Sequence, residues 1–157
     1  MAQVPDVGEH APDFTLPGTS PGGPRDYTLS AERGHPVVLA FYPGDNTAVC
    51  TAQLCSYQDQ LSAFTDLDAV VWGISEQDLD SHERFAEKRH LTFPLLADPE
   101  GRATRRYGVH APLRLKRSVF VVDAAGAVAW RHVSTIGLTY QSTSAIARVL
   151  RELAVAS

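Results

Sequence analysis

Short apolar runs alternate along this chain with stretches in which apolar positions recur every three or four residues. Val37 to Tyr42 is apolar throughout, as expected of a strand covered on both faces of a sheet. Pro43 ends it, because proline has no N–H to give a sheet ladder. Ala69 to Ile74 reads the same way, and Ala11 to Leu16, Phe93 to Ala97 and Val119 to Asp123 read as further strands. Tyr27 to Leu29 reads as a short edge strand, and Ala127 to Val133 as the hairpin partner of Val119 to Asp123 around the turn Ala124 to Gly126. Pro17 to Pro24 is a loop by composition.

Cys50, Leu54, Tyr57, Leu61 and Phe64 advance in steps of four and three, which predicts one face of a helix. Asp45, Asn46 and Thr47 precede it as candidate caps, each with a side-chain oxygen for a free N–H. A second helix is predicted from about Ser81 to His90, with Asp80 and Glu83 at capping-box spacing. Asp98 and Pro99 set a cap and a first-turn proline before a short helix that Gly108 closes. Ser144 to Ala154 forms the last helix, with Ile146, Val149, Leu150 and Leu153 on one face. Strands thus alternate with helices, and a hairpin precedes the last helix. The pattern predicts an α/β domain with a mixed central β-sheet and helices on both faces.

Composition narrows the function more than the fold. The 157 residues suit a single domain, 1–157, with no internal repeat or linker. Hydrophobic residues make up 44% and charged residues 20%, an ordinary globular balance. The formal net charge is −4 and no Lys/Arg run dominates, which argues against nucleic acid or an anionic membrane as partner. Met1 to Phe14 lacks a basic start and an apolar core, so no signal peptide is expected. No window approaches the ~18 apolar residues of a membrane span. The expected location is cytoplasmic, where a cysteine pair is catalytic, redox-sensing or metal-binding more often than structural.

The chain has two cysteines, Cys50 and Cys55, and both fall where the apolar strand gives way to the helix. A thiol there sits where backbone N–H groups and the helix dipole favour negative charge, and the thiolate is the reactive form. Five residues in a helix correspond to ~7.5 Å of rise and a Cα separation of roughly 8.6 Å. A disulfide needs about 4.4–6.8 Å, so the pair cannot close while this segment stays helical. Other readings of the pair remain open from the residues alone. Both cysteines can be small buried apolar residues. A zinc site is disfavoured by the spacing, and the six histidines (His10, His35, His82, His90, His110, His132) show no ligand pattern. A thioredoxin-type redox motif would need Cys-x-x-Cys, which this is not.

Pro43-x-x-x-Thr47-x-x-Cys50 resembles the active-site signature of the peroxiredoxins, and the second cysteine five positions on resembles their bacterioferritin-comigratory-protein (PrxQ) branch. Ala11 to Leu16, Phe93 to Asp98, Tyr107 to Val109 and Arg117 to Asp123 fall in that family's order and spacing, so the likeness spans roughly Gly8 to Leu153. It implies a thioredoxin-like fold and reduction of hydrogen peroxide and organic hydroperoxides. It implies that Cys50 is the peroxidatic cysteine and Cys55 the resolving one. Thr47, Pro43 and Arg117 map onto the remaining active-site positions. Two residues depart from the common pattern: Gln53 stands where the family often has Glu, and Val49 where it often has Gly. Gln53 removes a carboxylate from the site's surroundings and Val49 stiffens the first turn, so both bear on how readily the helix opens.

The resemblance also implies roles. Arg117 would favour the Cys50 thiolate and hold the peroxide oxygens. The Thr47 hydroxyl would cap the helix, accept from the peroxide and donate to the sulfur. Pro43 would fix the chain entering the site and shield the sulfur. Cys50 would become a sulfenic acid, Cys55 would condense with it to an intramolecular disulfide, and thioredoxin or another dithiol would restore both. No metal, haem, flavin or bound nicotinamide is required, and an intrachain pair is compatible with a monomer. Two rivals use the same cysteines. A general disulfide oxidoreductase would reduce disulfides without consuming peroxide, and a non-catalytic redox sensor would react slowly and hold a tight partner. Stopped-flow tryptophan fluorescence after one equivalent of hydrogen peroxide separates them: fast oxidation that is lost in Cys50→Ser is the expected result. An oxidised structure with residues 50–55 still helical and the two sulfurs bonded would contradict the unwinding argument.

Overall fold

The computed structural model describes residues 3–134 and 140–156, so the first two residues of the N-terminal stretch read above lie outside it. The strands are β1 (Thr15–Ser20), β2 (Gly23–Thr28), β3 (Val37–Phe41), β4 (Val70–Ser75), β5 (Leu95–Ala97), β6 (Ser118–Val122) and β7 (Val128–Val133). The helices are α1 (Ala48–Asp59), α2 (Ser62–Thr65), α3 (Leu79–Arg89), α4 (Arg102–Arg106) and α5 (Thr143–Ala156). One mixed sheet runs in the order β2-β1-β5-β4-β3-β6-β7. β3, β4 and β5 are mutually parallel, while β6 runs antiparallel to β3 with Val37 opposite Val122 and Phe41 opposite Ser118.

The two-residue period of β3 divides the molecule into two cores. Val37, Leu39 and Phe41 enter one, where Ala103 and Tyr107 at α4 close it with Ala11 and Phe14. Val38 and Ala40, with Tyr42 just beyond, enter the other, closed by Cys50, Leu54 and Tyr57 of α1, Phe64 of α2, Phe85 of α3 and Ile146 and Leu150 of α5. Helices therefore flank both faces, as the alternation predicts, with four on one side and α4 on the other. Among the described residues, no helix is long and apolar enough to cross a membrane.

Several local expectations are corrected. Pro17 to Pro24 is largely a hairpin: Pro17 pairs with Asp26 and Thr19 with Pro24. Gly18 belongs to the strand because the Tyr27 ring lies over it, and a Cβ there would meet that ring at 2.8 Å. Pro24 is tolerated because β2 is the outermost strand. The helical face from Cys50 to Phe64 is real but broken: α1 stops at Asp59 and α2 resumes at Ser62, with Leu61 partly buried against the same core. Asp78, not Asp80, caps α3, its carboxylate accepting from Ser81 N at 2.8 Å. Asp98 does serve α4, accepting from the N–H groups of Arg102, Ala103 and Thr104, but Pro99 lies three positions before Arg102 and is not its first-turn proline.

The loop from β3 to α1 is tied down from below. Asp45 Oδ1 accepts from the Tyr42 hydroxyl at 2.7 Å, and Oδ2 accepts from the Ser81 hydroxyl at 2.7 Å and faces His82 Nδ1 at 2.7 Å. His82 Nε2 lies 3.0 Å from the Leu96 carbonyl oxygen, so both ring nitrogens face acceptors. The Asp45 N–H also donates to Gln77 Oε1. His82 is fully buried. Burial alone would push the Asp45 carboxyl up, but hydrogen bonds and charge from His82, with the Ser81 and Tyr42 hydroxyls, hold it below the usual range.

A carboxyl held below its unfolded value contributes stability that is full above about pH 4 and is lost as pH falls through the folded value. We therefore expect denaturation midpoints to fall on acidification below about pH 4, and Asp45→Asn to flatten that slope. At pH 7 the same substitution should cost about 3–5 kcal/mol, since it leaves a buried imidazole without its carboxylate. Urea titrations of both proteins across pH check both expectations; an unchanged acid slope would show that Asp45 does not carry it.

Candidate active site

The direction of two strands brings the site together. β3 delivers the chain to its carboxyl end, and Pro43 to Thr47 then turn it into α1. Because β6 is antiparallel to β3 and Ser118 sits opposite Phe41, the residue just before β6 comes to the same end. That residue is Arg117, and its backbone carbonyl is pinned by the Ser134 N–H at 2.8 Å. Thr47 occupies the helix N-cap with extended backbone (φ −80°, ψ 150°), and its carbonyl accepts from Thr51 N at 2.9 Å. Asn46 before it adopts φ +64°, a left-handed conformation that asparagine tolerates.

Cys50 lies in the first turn of α1 with its side chain fully buried. Arg117 Nη2 donates to its Sγ at 3.3 Å, and Arg117 Nη1 donates to Gln53 Oε1 at 2.7 Å. Arg117 itself is 3% exposed, so its charge is held out of bulk water. Gln53 Nε2 in turn donates to the Tyr57 hydroxyl oxygen at 3.1 Å, and that hydroxyl donates to the Gln141 carbonyl at 2.7 Å. Burial pushes the Tyr57 phenol well above its usual range, against a smaller opposing effect of the Gln53 hydrogen bond, so it stays protonated and donating.

The sequence-predicted residues are not all assembled. Cys50 and Arg117 are in contact. Cys55 also lies in α1, half-buried and free, and α1 is helical throughout the interval between the two cysteines. The Thr47 hydroxyl does not cap the helix as expected; it donates to the Gly44 carbonyl at 3.2 Å, and the residue is exposed. Pro43 is half-buried where the chain leaves β3.

Tyr57 and Gln141 are partners that the sequence reading does not connect with Cys50, and it names Gln53 only for the carboxylate it lacks. Gln53 and Tyr57 are three and seven positions after Cys50, on the same helical face. A glutamine on an apolar face signals a buried amide that needs partners, and that signal was available in the spacing.

The described architecture and this geometry agree with what the chain is similar to. The model of the AhpC/TSA family matches residues 7–131. Peroxiredoxin Bcp of Bacillus subtilis is 33% identical over 138 residues, covering 82% of this chain and 86% of that protein. The chloroplastic peroxiredoxin Q of rice (Oryza sativa subsp. japonica) is 39% identical over 124 residues, covering 77% of this chain and 56% of that longer protein. The structure of the Xanthomonas campestris bacterioferritin comigratory protein, described for its alkyl peroxide reduction activity, superposes with a TM-score of 0.83 at 27% identity over 95% of this chain and 99% of that one. The thioredoxin-like α/β fold implied by the signature is thereby established. With a family match over most of its length and relatives of this kind, the chain belongs to the AhpC/TSA family and, within it, to the Bcp/PrxQ peroxiredoxins.

Proposed function

We propose that Cys50 is the nucleophile of this chain's thiol-dependent peroxidase activity and that Cys55 resolves the oxidised form. The observation that carries the reading is the guanidinium of Arg117 held 3.3 Å from a buried sulfur in the first turn of a helix. A permanent cation and the N-terminal dipole both favour the anionic, nucleophilic sulfur. Little water competes there, so each electrostatic interaction counts for more than at the surface.

The chemistry is displacement at oxygen. The Cys50 thiolate attacks the near oxygen of hydrogen peroxide or an organic hydroperoxide, the O–O bond breaks, and the leaving hydroxide or alkoxide takes a proton. The sulfur is left as a sulfenic acid, oxidised by two electrons. Arg117 is placed to stabilise the oxygen on which charge develops. The Thr47 hydroxyl would exchange its bond to Gly44 for one to the substrate, and Pro43, with no N–H to offer, would border the sulfur. The Cys55 thiolate then attacks the Cys50 sulfur, expelling hydroxide, and an intramolecular disulfide forms after α1 opens. Thioredoxin or another dithiol would reduce that disulfide by exchange, returning two thiols. A reducing compartment such as the cytoplasm suits this cycle, and an intrachain pair permits a monomer to complete it.

Stopped-flow mixing of reduced protein with hydrogen peroxide tests each role. Cys50→Ser should abolish the fast oxidation. Arg117→Met should slow it by about 100-fold or more, as for loss of one oxyanion donor. Cys55→Ser should keep the oxidation but lose turnover with thioredoxin. Unchanged turnover in Cys55→Ser would make Cys55 structural, and unchanged oxidation in Arg117→Met would remove the guanidinium from the mechanism.

A further inference from the structure

Gln53 lies between the two cysteines in sequence, is fully buried, and uses its amide at both ends. The order of donors there is fixed. Arginine can only donate, so Oε1 must face Arg117. The Gln141 carbonyl can only accept, so the Tyr57 proton is committed to it, and the Tyr57 oxygen must accept from Nε2. One unbroken line of hydrogen bonds therefore joins the Cys50 sulfur to the Gln141 carbonyl, with donation running outward from Arg117 in both directions: to Cys50 on one side, and through Gln53 and Tyr57 to Gln141 on the other. A carboxylate at position 53 would face the Tyr57 oxygen with no proton to share between them. The amide is the side chain that completes this line.

The resolving step cannot leave that line intact. The two cysteines must come from roughly 8.6 Å apart in a helix to within about 6.8 Å, and the residues that must unwind to allow it include Gln53. Its side chain reaches Arg117 and Tyr57 only from the wound helix. We propose that Gln53 is a latch: it holds α1 wound while Cys50 reacts, and the disulfide forms only when Gln53 releases both Arg117 and Tyr57. The latch thereby sets how long the sulfenic acid survives. That interval decides how much of it meets a second peroxide and becomes the sulfinic acid, in which the sulfur has lost two further electrons. The inference rests on the peroxidase reading above, with Cys50 oxidised first and Cys55 second.

Two variants separate the latch from general stability. Tyr57→Phe removes the far anchor and leaves the bonds among Gln53, Arg117 and Cys50 in place. Gln53→Met keeps the volume but removes both polar ends. Rapid mixing with hydrogen peroxide gives a peroxide-dependent phase for the first oxidation and a peroxide-independent phase for disulfide closure. In Tyr57→Phe the closure phase should quicken about three- to tenfold, the scale of one net hydrogen bond, with the first phase within about twofold. Gln53→Met should quicken closure at least as much and slow the first phase, because Arg117 loses its Oε1 partner. Mass spectrometry should find less sulfinic acid per peroxide dose in both. Val71→Ala, which loosens the same core from β4, should leave closure unchanged and so report any effect of stability alone. Closure unmoved or slowed in either latch variant would overturn the latch. Absence of a Cys50-dependent first phase in the unsubstituted protein would instead overturn the peroxidase reading, and the latch with it.

Discussion

Arg117 carries a permanent charge into a place where 3% of the residue reaches solvent, and much of the structure answers to that placement. A buried guanidinium needs acceptors for its donors, because an unmet charge costs far more than one hydrogen bond returns. Cys50 Sγ and Gln53 Oε1 are two of those acceptors. The demand fixes the surrounding geometry. α1 must begin where β3 ends, β6 must run against β3 so that the residue just before it arrives there, and the amide must sit one helical turn after the sulfur. Each condition is met by chain direction and residue spacing rather than by a special contact.

A second buried polar cluster supports the opposite side of the same loop. Asp45 and His82 bind each other between α3 and the end of β3, with Tyr42, Ser75 and Ser81 around them. The Tyr42 hydroxyl belongs to this cluster while its body packs in the core that holds Cys50. Burial drives its phenol well above the ordinary range and the neighbouring Asp45 carboxylate drives it further, so it remains a donor. Pro43 to Thr47 are thus tied through Asp45, while the hydrogen bonds of Arg117 fall on α1 just beyond them.

The parts of this fold that were legible in the sequence are those written in hydrophobic period. The runs at Val37, Ala69 and Val119, the face from Cys50 to Phe64 and the final helix all follow from apolar spacing, and the mixed sheet follows from their order. The misreadings came where tertiary contact overrules local composition. Pro17 to Pro24 looks like a loop until Tyr27 covers Gly18 and the outer position of β2 makes Pro24 acceptable. Asp80 and Glu83 have cap spacing, but Asp78 takes the position because its carboxylate reaches Ser81 N. At the site, Cys50 and Arg117 were legible through the signature, whereas the buried amide of Gln53 was read as a lost carboxylate. Tyr57 lies one turn further along the same helix, but Arg117 and Gln141 lie on other parts of the fold, and no local pattern announces hydrogen bonds across such separations.

The hairpin misread as a loop also settles how one end of the sheet meets the outside. β2 is the last strand on that side, and a free strand border invites another polypeptide to extend the ladder. Pro24 withholds one donor from any such extension, and Arg25 and Asp26 place opposite charges beside it. The same prolines and glycines that disguise this segment as irregular chain make its rim a poor template for intermolecular β-pairing, and so a safeguard against aggregation.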